Sequence, residues 1–167
     1  MTNQEIINLG DGLQGVRNLS GIKFAYVVSK NINKVKSEIE TFNEMQKFSK
    51  EYEEYNKERI ALCELHATKD DEGKPVTTPI KNNIGVIIAT RYNGLEGNKA
   101  FEAQLEVLND KHKDVIALEK KKEEDFNAFL KEESKVELHK LDVNDVPKEI
   151  TGGQLNGISL IITGELK

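Results

Sequence analysis

The sequence predicts an α+β fold, predominantly α: two long amphipathic helices forming a hairpin, with a small β element and a short C-terminal helix. Three observations carry this expectation. From Ile22 to His66 no Pro or Gly interrupts a recurring apolar stripe. A second such stripe runs from Lys99 to Lys131. Between them, Pro75, Pro79 and a β-branched run from Gly85 to Tyr92 favour extended backbone. At 167 residues one domain is the default. It would comprise an N-terminal helix (1–21), a long helix (22–66), a turn and strand insert (67–97), a second long helix (98–132), and a strand with a short C-terminal helix (133–167).

In the first segment, Ile6, Leu9, Leu13 and Val16 recur at three- and four-residue steps and define one helical face. Gly10, Gly12 and Gly15 weaken that helix by about 1 kcal/mol each relative to Ala, and Ser20-Gly21 ends it. The long helix then places Phe24, Val28, Ile32, Val35 and Ile39 toward a core. At about 100° per residue, Lys23, Tyr26, Lys30, Asn33, Lys34 and Ser37 fall on the opposite side. The steps of three in Ile39-Phe42-Met45-Phe48 rotate the stripe, so the first half should pack on one element and the second half on another. At ~1.5 Å per residue its 45 residues would span ~68 Å, against a diameter of ~40 Å for a compact chain of this length. A straight helix of that length must protrude or associate, which predicts a homo-oligomer joined through the long helices.

Asp70-Asp71-Glu72-Gly73 reads as a turn. Asn98 suits the N-cap of the second long helix, whose core face would hold Phe101, Leu105, Leu108, Val115, Leu118, Phe126 and Phe129. Val136 to Leu141 alternates like a short strand. Thr151-Gly152-Gly153-Gln154 fits a capping box opening a short helix through Ile162, with a buried strand as the competing reading of Ile158 to Ile162. The apolar runs Val86-Ile87-Ile88-Ala89 and Ile158 to Ile162 are of a length that suits core elements.

Met1 to Glu5 lacks a signal-peptide start, and no window approaches ~20 apolar residues, so neither secretion nor a membrane span is expected. The lone Cys63 cannot form an intrachain disulfide, and a reducing cytoplasm fits best. The net charge of −5 argues against broad or sequence-specific nucleic-acid binding, yet the charge is segregated. No acid lies between Asp11 and Glu38, a window holding Arg17, Lys23, Lys30, Lys34 and Lys36. A second acid-free window, Gly73 to Leu95, holds Lys74, Lys81 and Arg91. Such windows suit an anion site, because Lys and Arg supply donors and positive potential to phosphates. They are equally compatible with solvated lysines on a helix surface.

Gly10-Asp11-Gly12-Leu13-Gln14-Gly15 matches G-x-G-x-x-G, but the preceding spacing is helical and no crossover follows, so a dinucleotide fold is not expected. Cys63-x-x-His66 offers two metal ligands without a second pair, and His112 and His139 stand alone, so no metal or other cofactor is expected. No nucleophile elbow, zinc-protease or Walker motif occurs, and no catalytic residue is assigned.

Lys23-Phe24-Ala25-Tyr26, Lys30-Asn31-Ile32, Cys63-Glu64-Leu65-His66-Ala67, Asp71-Glu72-Gly73-Lys74-Pro75 and Ile150-Thr151-Gly152-Gly153-Gln154-Leu155-Asn156-Gly157 together resemble a group of small tailed-bacteriophage proteins with no assigned activity. The resemblance implies work inside an infected bacterial cell. By analogy it points to the oligomeric sponge proteins that trap nucleotide signals of antiviral defence. On that reading Lys23, Lys30, Lys34 and Arg91 contact phosphate, Tyr26 and Tyr92 stack on a base, and Asn33 reads a polar edge. The expected function is non-enzymatic sequestration of an anionic, nucleotide-like small molecule. Two alternatives stand beside it: a helical interaction module that inhibits a host enzyme through the acidic surface of residues 119–133, and a phage assembly or scaffold protein.

Overall fold

The computed structural model describes residues 1–82 and 85–165; the parts of the expected 67–97 insert and 133–167 segment at residues 83, 84, 166 and 167 lie outside them. It is an α+β structure, predominantly α. Helices α1 (Asn3–Val16), α2 (Ile22–Met45) and α3 (Lys50–His66) precede strands β1 (Thr77–Lys81) and β2 (Ile87–Tyr92). Helices α4 (Lys99–Lys111) and α5 (Lys113–Phe129), strand β3 (Leu141–Asp142), helix α6 (Gly152–Gly157) and strand β4 (Ile162–Thr163) follow, with single 3-10 turns before α6 and before β4. The chain divides into two compact units. Unit 1 comprises Met1–Lys47 and Lys122–Lys167, and unit 2 comprises Phe48–Lys121.

Unit 1 owes its core to the two periodic faces read from the sequence. Ile6, Leu9, Leu13 and Val16 of α1 are all buried, against Phe24, Val28, Val35 and Phe42 of α2. Phe126, Leu141, Ile158 and Ile161 complete this cluster, with Ile32 and Ile39 packed at its margin. Each fully buried side chain of this size is worth about 1.5–3 kcal/mol. Close approach requires glycine at Gly12, where a Cβ would stand only 2.0 Å from the Gly157 carbonyl oxygen, while one on Gly10 would meet the tip of the Ile39 side chain at 2.6 Å. The G-x-G-x-x-G match therefore lies inside helix α1, where Gly10 and Gly12 face packed neighbours and Gly15 faces open space. Thr2 caps α1 in a reciprocal box with Glu5. Residues 1–4, at the start of α1, are tied to residues 130–134 by bonds from Asn3 N to Glu132 O (3.0 Å), Gln4 N to Leu130 O (2.9 Å) and Ser134 N to Met1 O (2.8 Å).

The continuous helix expected over 22–66 is interrupted. Gln46 turns its N–H onto Asn43 and Glu44, and Ser49 opens α3 by accepting from Tyr52 N at 3.1 Å, with Glu51 and Glu53 in the first turn. A serine N-cap followed by acids is a start signal that needs no Pro or Gly. The halves do pack on different elements, α2 on α1 in unit 1 and α3 on α4 in unit 2, but by this break and not by rotation of one helix, since Met45 and Phe48 of the stripe are exposed. Without a single 45-residue helix, the length argument for association no longer applies.

The helix expected over 98–132 is likewise divided at His112, whose backbone (φ −108°, ψ 17°) leaves the helical region. Its ring is held against Tyr55 (centroids 5.5 Å) and meets Glu58 at 3.2 Å. Asn98 does cap α4, accepting from Phe101 N. In unit 2, α3 and α4 run antiparallel: His66 meets Gln104 at 3.2 Å, Tyr55 donates to Asn109 at 2.9 Å, and Lys111 pairs with Glu58 at 2.7 Å. The expected hairpin of two long helices is thus reduced to this shorter pair. Leu118, expected in the core, is 63% exposed.

β1 and β2 form an antiparallel hairpin, Thr77 opposite Tyr92 and Ile80 opposite Ala89, with a bulge before Lys81. The run Val86 to Ala89 is exposed, contrary to the expectation of a core element, because among the described residues the two-stranded ribbon has no second layer to bury it. Residues 136–140 form no strand; only Leu141 and Asp142 pair, in parallel with Ile162 and Thr163. Thr151 and Gln154 make the expected capping box, but α6 ends at Gly157 and the chain reaches Ile162 through a 3-10 turn.

Candidate functional site

The helix α2 presents Lys23, Tyr26, Lys30, Asn33 and Lys34 to solvent, as the projection requires. The Lys30 ammonium stands 5.6 Å from the centre of the Tyr26 ring, and Tyr26 is 60% exposed. Beside this pair lies a cleft of about 410 Å³ lined by Ile22, Lys23, Tyr26, Val27, Lys140, Leu141, Asp142 and Asp145. Its position follows from the parallel pairing of β3 with β4, which brings Lys140 to Asp142 alongside the first turns of α2.

The cleft carries both signs of charge. Lys23 pairs with Asp145 at 3.1 Å. Lys140 donates to the Leu160 carbonyl at 2.6 Å, and Asp142 accepts from Asn144 N at 2.8 Å. Each ammonium has three N–H donors, so the bonds of Lys23 and Lys140 leave capacity for a further anion. Lys30 has no carboxylate partner among the described residues. A ligand with a phosphate at one end and an amine-bearing ring at the other matches this arrangement better than a simple polyanion, which Asp142 and Asp145 would repel.

The remaining expected residues stand elsewhere. Lys34 donates to the Glu137 carbonyl at 2.6 Å, where it fastens the chain between α5 and β3 to α2. Asn33 is exposed and is not part of the cleft lining. Arg91 and Tyr92 belong to unit 2, and the α2 residues to unit 1. Arg91 pairs with Glu96 at 3.0 Å. The Tyr92 phenol donates to Glu64 at 3.2 Å, and burial, then the Glu64 contact, raises its pKa. Lys140, Asp142 and Asp145 went unread in the sequence. Their only local signal is the Asp142-Val143-Asn144 Asx turn, which marks a turn but no ligand.

A second cavity, about 670 Å³, lies within unit 2 between α3 and α4. Ala61, Leu62, Leu65, Ala103, Val107 and Leu108 supply its apolar floor, and Glu58, Gln104 and Lys111 its polar margin. Cys63 is buried and His66 is engaged with Gln104; among the described residues no group of His, Cys, Asp and Glu could hold a metal ion. No helix among them is long and apolar enough to cross a membrane.

Fold and cleft together define a predominantly helical α+β protein with a mixed-charge surface pocket. Comparison with protein-family models, curated proteins and solved structures finds no match, and the resemblance to bacteriophage proteins rests on the residues quoted for it.

Proposed function

We propose that this is a non-enzymatic binding protein that sequesters a small nucleotide-like ligand, in the manner of a phage protein that removes a host defence signal. The observation that carries the reading is the Tyr26 ring beneath the Lys30 ammonium, at a cleft whose walls present Lys23, Lys140, Asp142 and Asp145. The ring offers a stacking face for a base, worth about 1–3 kcal/mol. The lysines take the phosphate, and the aspartates accept N–H groups from the base edge. About 410 Å³ lies within the range of small-molecule sites. Relative to the seven residues read from the sequence, this site keeps Lys23, Tyr26 and Lys30 and adds Lys140, Asp142 and Asp145.

Titration calorimetry of the purified chain against linear and cyclic mononucleotides and dinucleotides tests the proposal. At least one ligand should bind, Tyr26→Ala should weaken it by about 10- to 100-fold, and Lys30→Glu should abolish the heat. Absence of heat across the whole panel, or binding unaltered by both substitutions, defeats the reading.

A further inference from the structure

Unit 2 leaves an unusual amount of apolar surface in water. Its described core is Tyr55, Cys63, Ala67, Phe101 and Leu108, while Leu65, Val107, Ile87 and Ile88 remain 58–70% exposed. The exposed groups form two patches. One is the open trough between α3 and α4, with Leu65 and Val107 on its walls. The other is the β1–β2 ribbon, where Ile80, Val86, Ile87 and Ile88 project from a narrow arm with no second layer among the described residues. Isolated apolar ribbons of this kind are marginal in water, and contiguous apolar surface marks a site of association.

Charge distinguishes the two patches. No acid occurs from Gly73 to Leu95, so the arm bears only Lys81 and Arg91. By contrast, α3 carries five Glu against two Lys and one Arg, and α4 carries two Glu and one Asp against two Lys. The arm is net cationic, with Arg91 already paired to Glu96, and the two helices that flank the trough are net acidic, although on the trough's own margin Glu58 is paired with Lys111. Two arms brought together would oppose like charges, whereas an arm laid in a trough pairs opposite ones.

We infer that the β1–β2 arm of one copy seats in the α3–α4 trough of a second copy. Ile87 and Ile80 would enter between Leu65 and Val107, with Lys81 toward the net acidic helices α3 and α4. Such a contact joins two different surfaces and therefore propagates head to tail, closing into a ring or extending as a chain according to its rotation. The nucleotide cleft is in unit 1 and takes no part, so this inference stands or falls independently of the proposed function.

Sedimentation velocity of the full chain from about 1 to 100 µM tests it, with Ile87→Lys altering the arm and Val107→Lys the trough; both positions are exposed, and far-UV circular dichroism checks that each variant is folded. The wild type should associate reversibly and more weakly as salt rises. Each variant alone should raise the dissociation constant by at least about tenfold, since either places an ammonium in the apolar contact. An equimolar mixture of the two should recover heterodimers, because the intact arm of one meets the intact trough of the other. A wild type that stays monomeric at 100 µM overturns the inference and leaves a different protein as the occupant. Association lost in Ile87→Lys but retained in Val107→Lys overturns it in favour of arm-to-arm pairing, and a mixture that stays monomeric overturns it as well.

Discussion

The side-chain amide of Asn31 and the main chain of His139 exchange two hydrogen bonds, Nδ2 to the His139 carbonyl and the His139 N–H to Oδ1, each 2.9 Å long. Asn31 is fully buried, at the position between Val28 and Val35 on the apolar face of α2. One planar amide thus reproduces the pairing of a β-bridge and holds the segment before β3 against the helix. That segment leads directly to Lys140, Asp142 and Asp145, so the cleft depends on this bond pair.

Asn31→Leu is expected to destabilise unit 1 by about 2–4 kcal/mol, because it strands two main-chain groups that have lost water as well as their partners. Urea unfolding followed by circular dichroism measures the loss. Amide exchange at His139 should accelerate in the same variant, and an unchanged exchange rate there would contradict the assigned role.

Gly12 and Gly15 are expected to respond to alanine with opposite signs. A Cβ at Gly12 meets the Gly157 backbone at 2.0–2.9 Å, which cannot be relieved by a rotamer change, so Gly12→Ala should cost about 1–3 kcal/mol. A Cβ at Gly15 meets nothing within 4 Å. There the gain in helix propensity should stabilise the protein by up to about 1 kcal/mol. Thermal unfolding of the two variants side by side decides the matter.

Ser49→Ala should remove the acceptor for Tyr52 N and cost about 1 kcal/mol, felt in α3. Hydrogen exchange resolved by segment should show earlier opening at residues 50–54 with little change in α1. Equal loss in both units would mean that the break after α2 is not an independent cap.

The hydrogen bond from Lys111, with help from His112, holds the Glu58 carboxyl below its ordinary pKa of 4.5. A depressed folded-state pKa contributes stability that is present above the unfolded value and lost as pH falls through the folded one. Unit 2 should therefore weaken below about pH 4.5, and Glu58→Gln should flatten that acid limb. Glu149, lowered by Ser20, gives the same sign in unit 1, so the readout is amide exchange in α3 rather than a global melt.

Local signals proved legible. The buried face of α1 and the caps at Asn98 and Thr151 follow from spacing and side-chain chemistry within a few residues. What could not be read depends on contacts distant in sequence. The exposure of Val86 to Ala89 is set by the absence of a covering layer among the described residues, and composition carries no record of that. Lys140, Asp142 and Asp145 reach α2 through the pairing of Leu141 with Ile162, twenty-one residues away. Asn31 is buried among the apolar residues of α2, and a polar residue on such a face announces its partner only when the partner's backbone is known.

Unit 1 is assembled from the two ends of the chain, with unit 2 set between them as one uninterrupted excursion. Lys122 returns to the carbonyl of Lys47, so the excursion leaves and rejoins at neighbouring points. On the ribosome, α1 and α2 can cover part of each other's apolar faces as soon as both have emerged, while residues 48–121 are still to be synthesised. Only when Phe126, Leu141 and Ile161 arrive can the earlier helices be sealed. Until then that part of the unit 1 core stays open to chaperones and proteases.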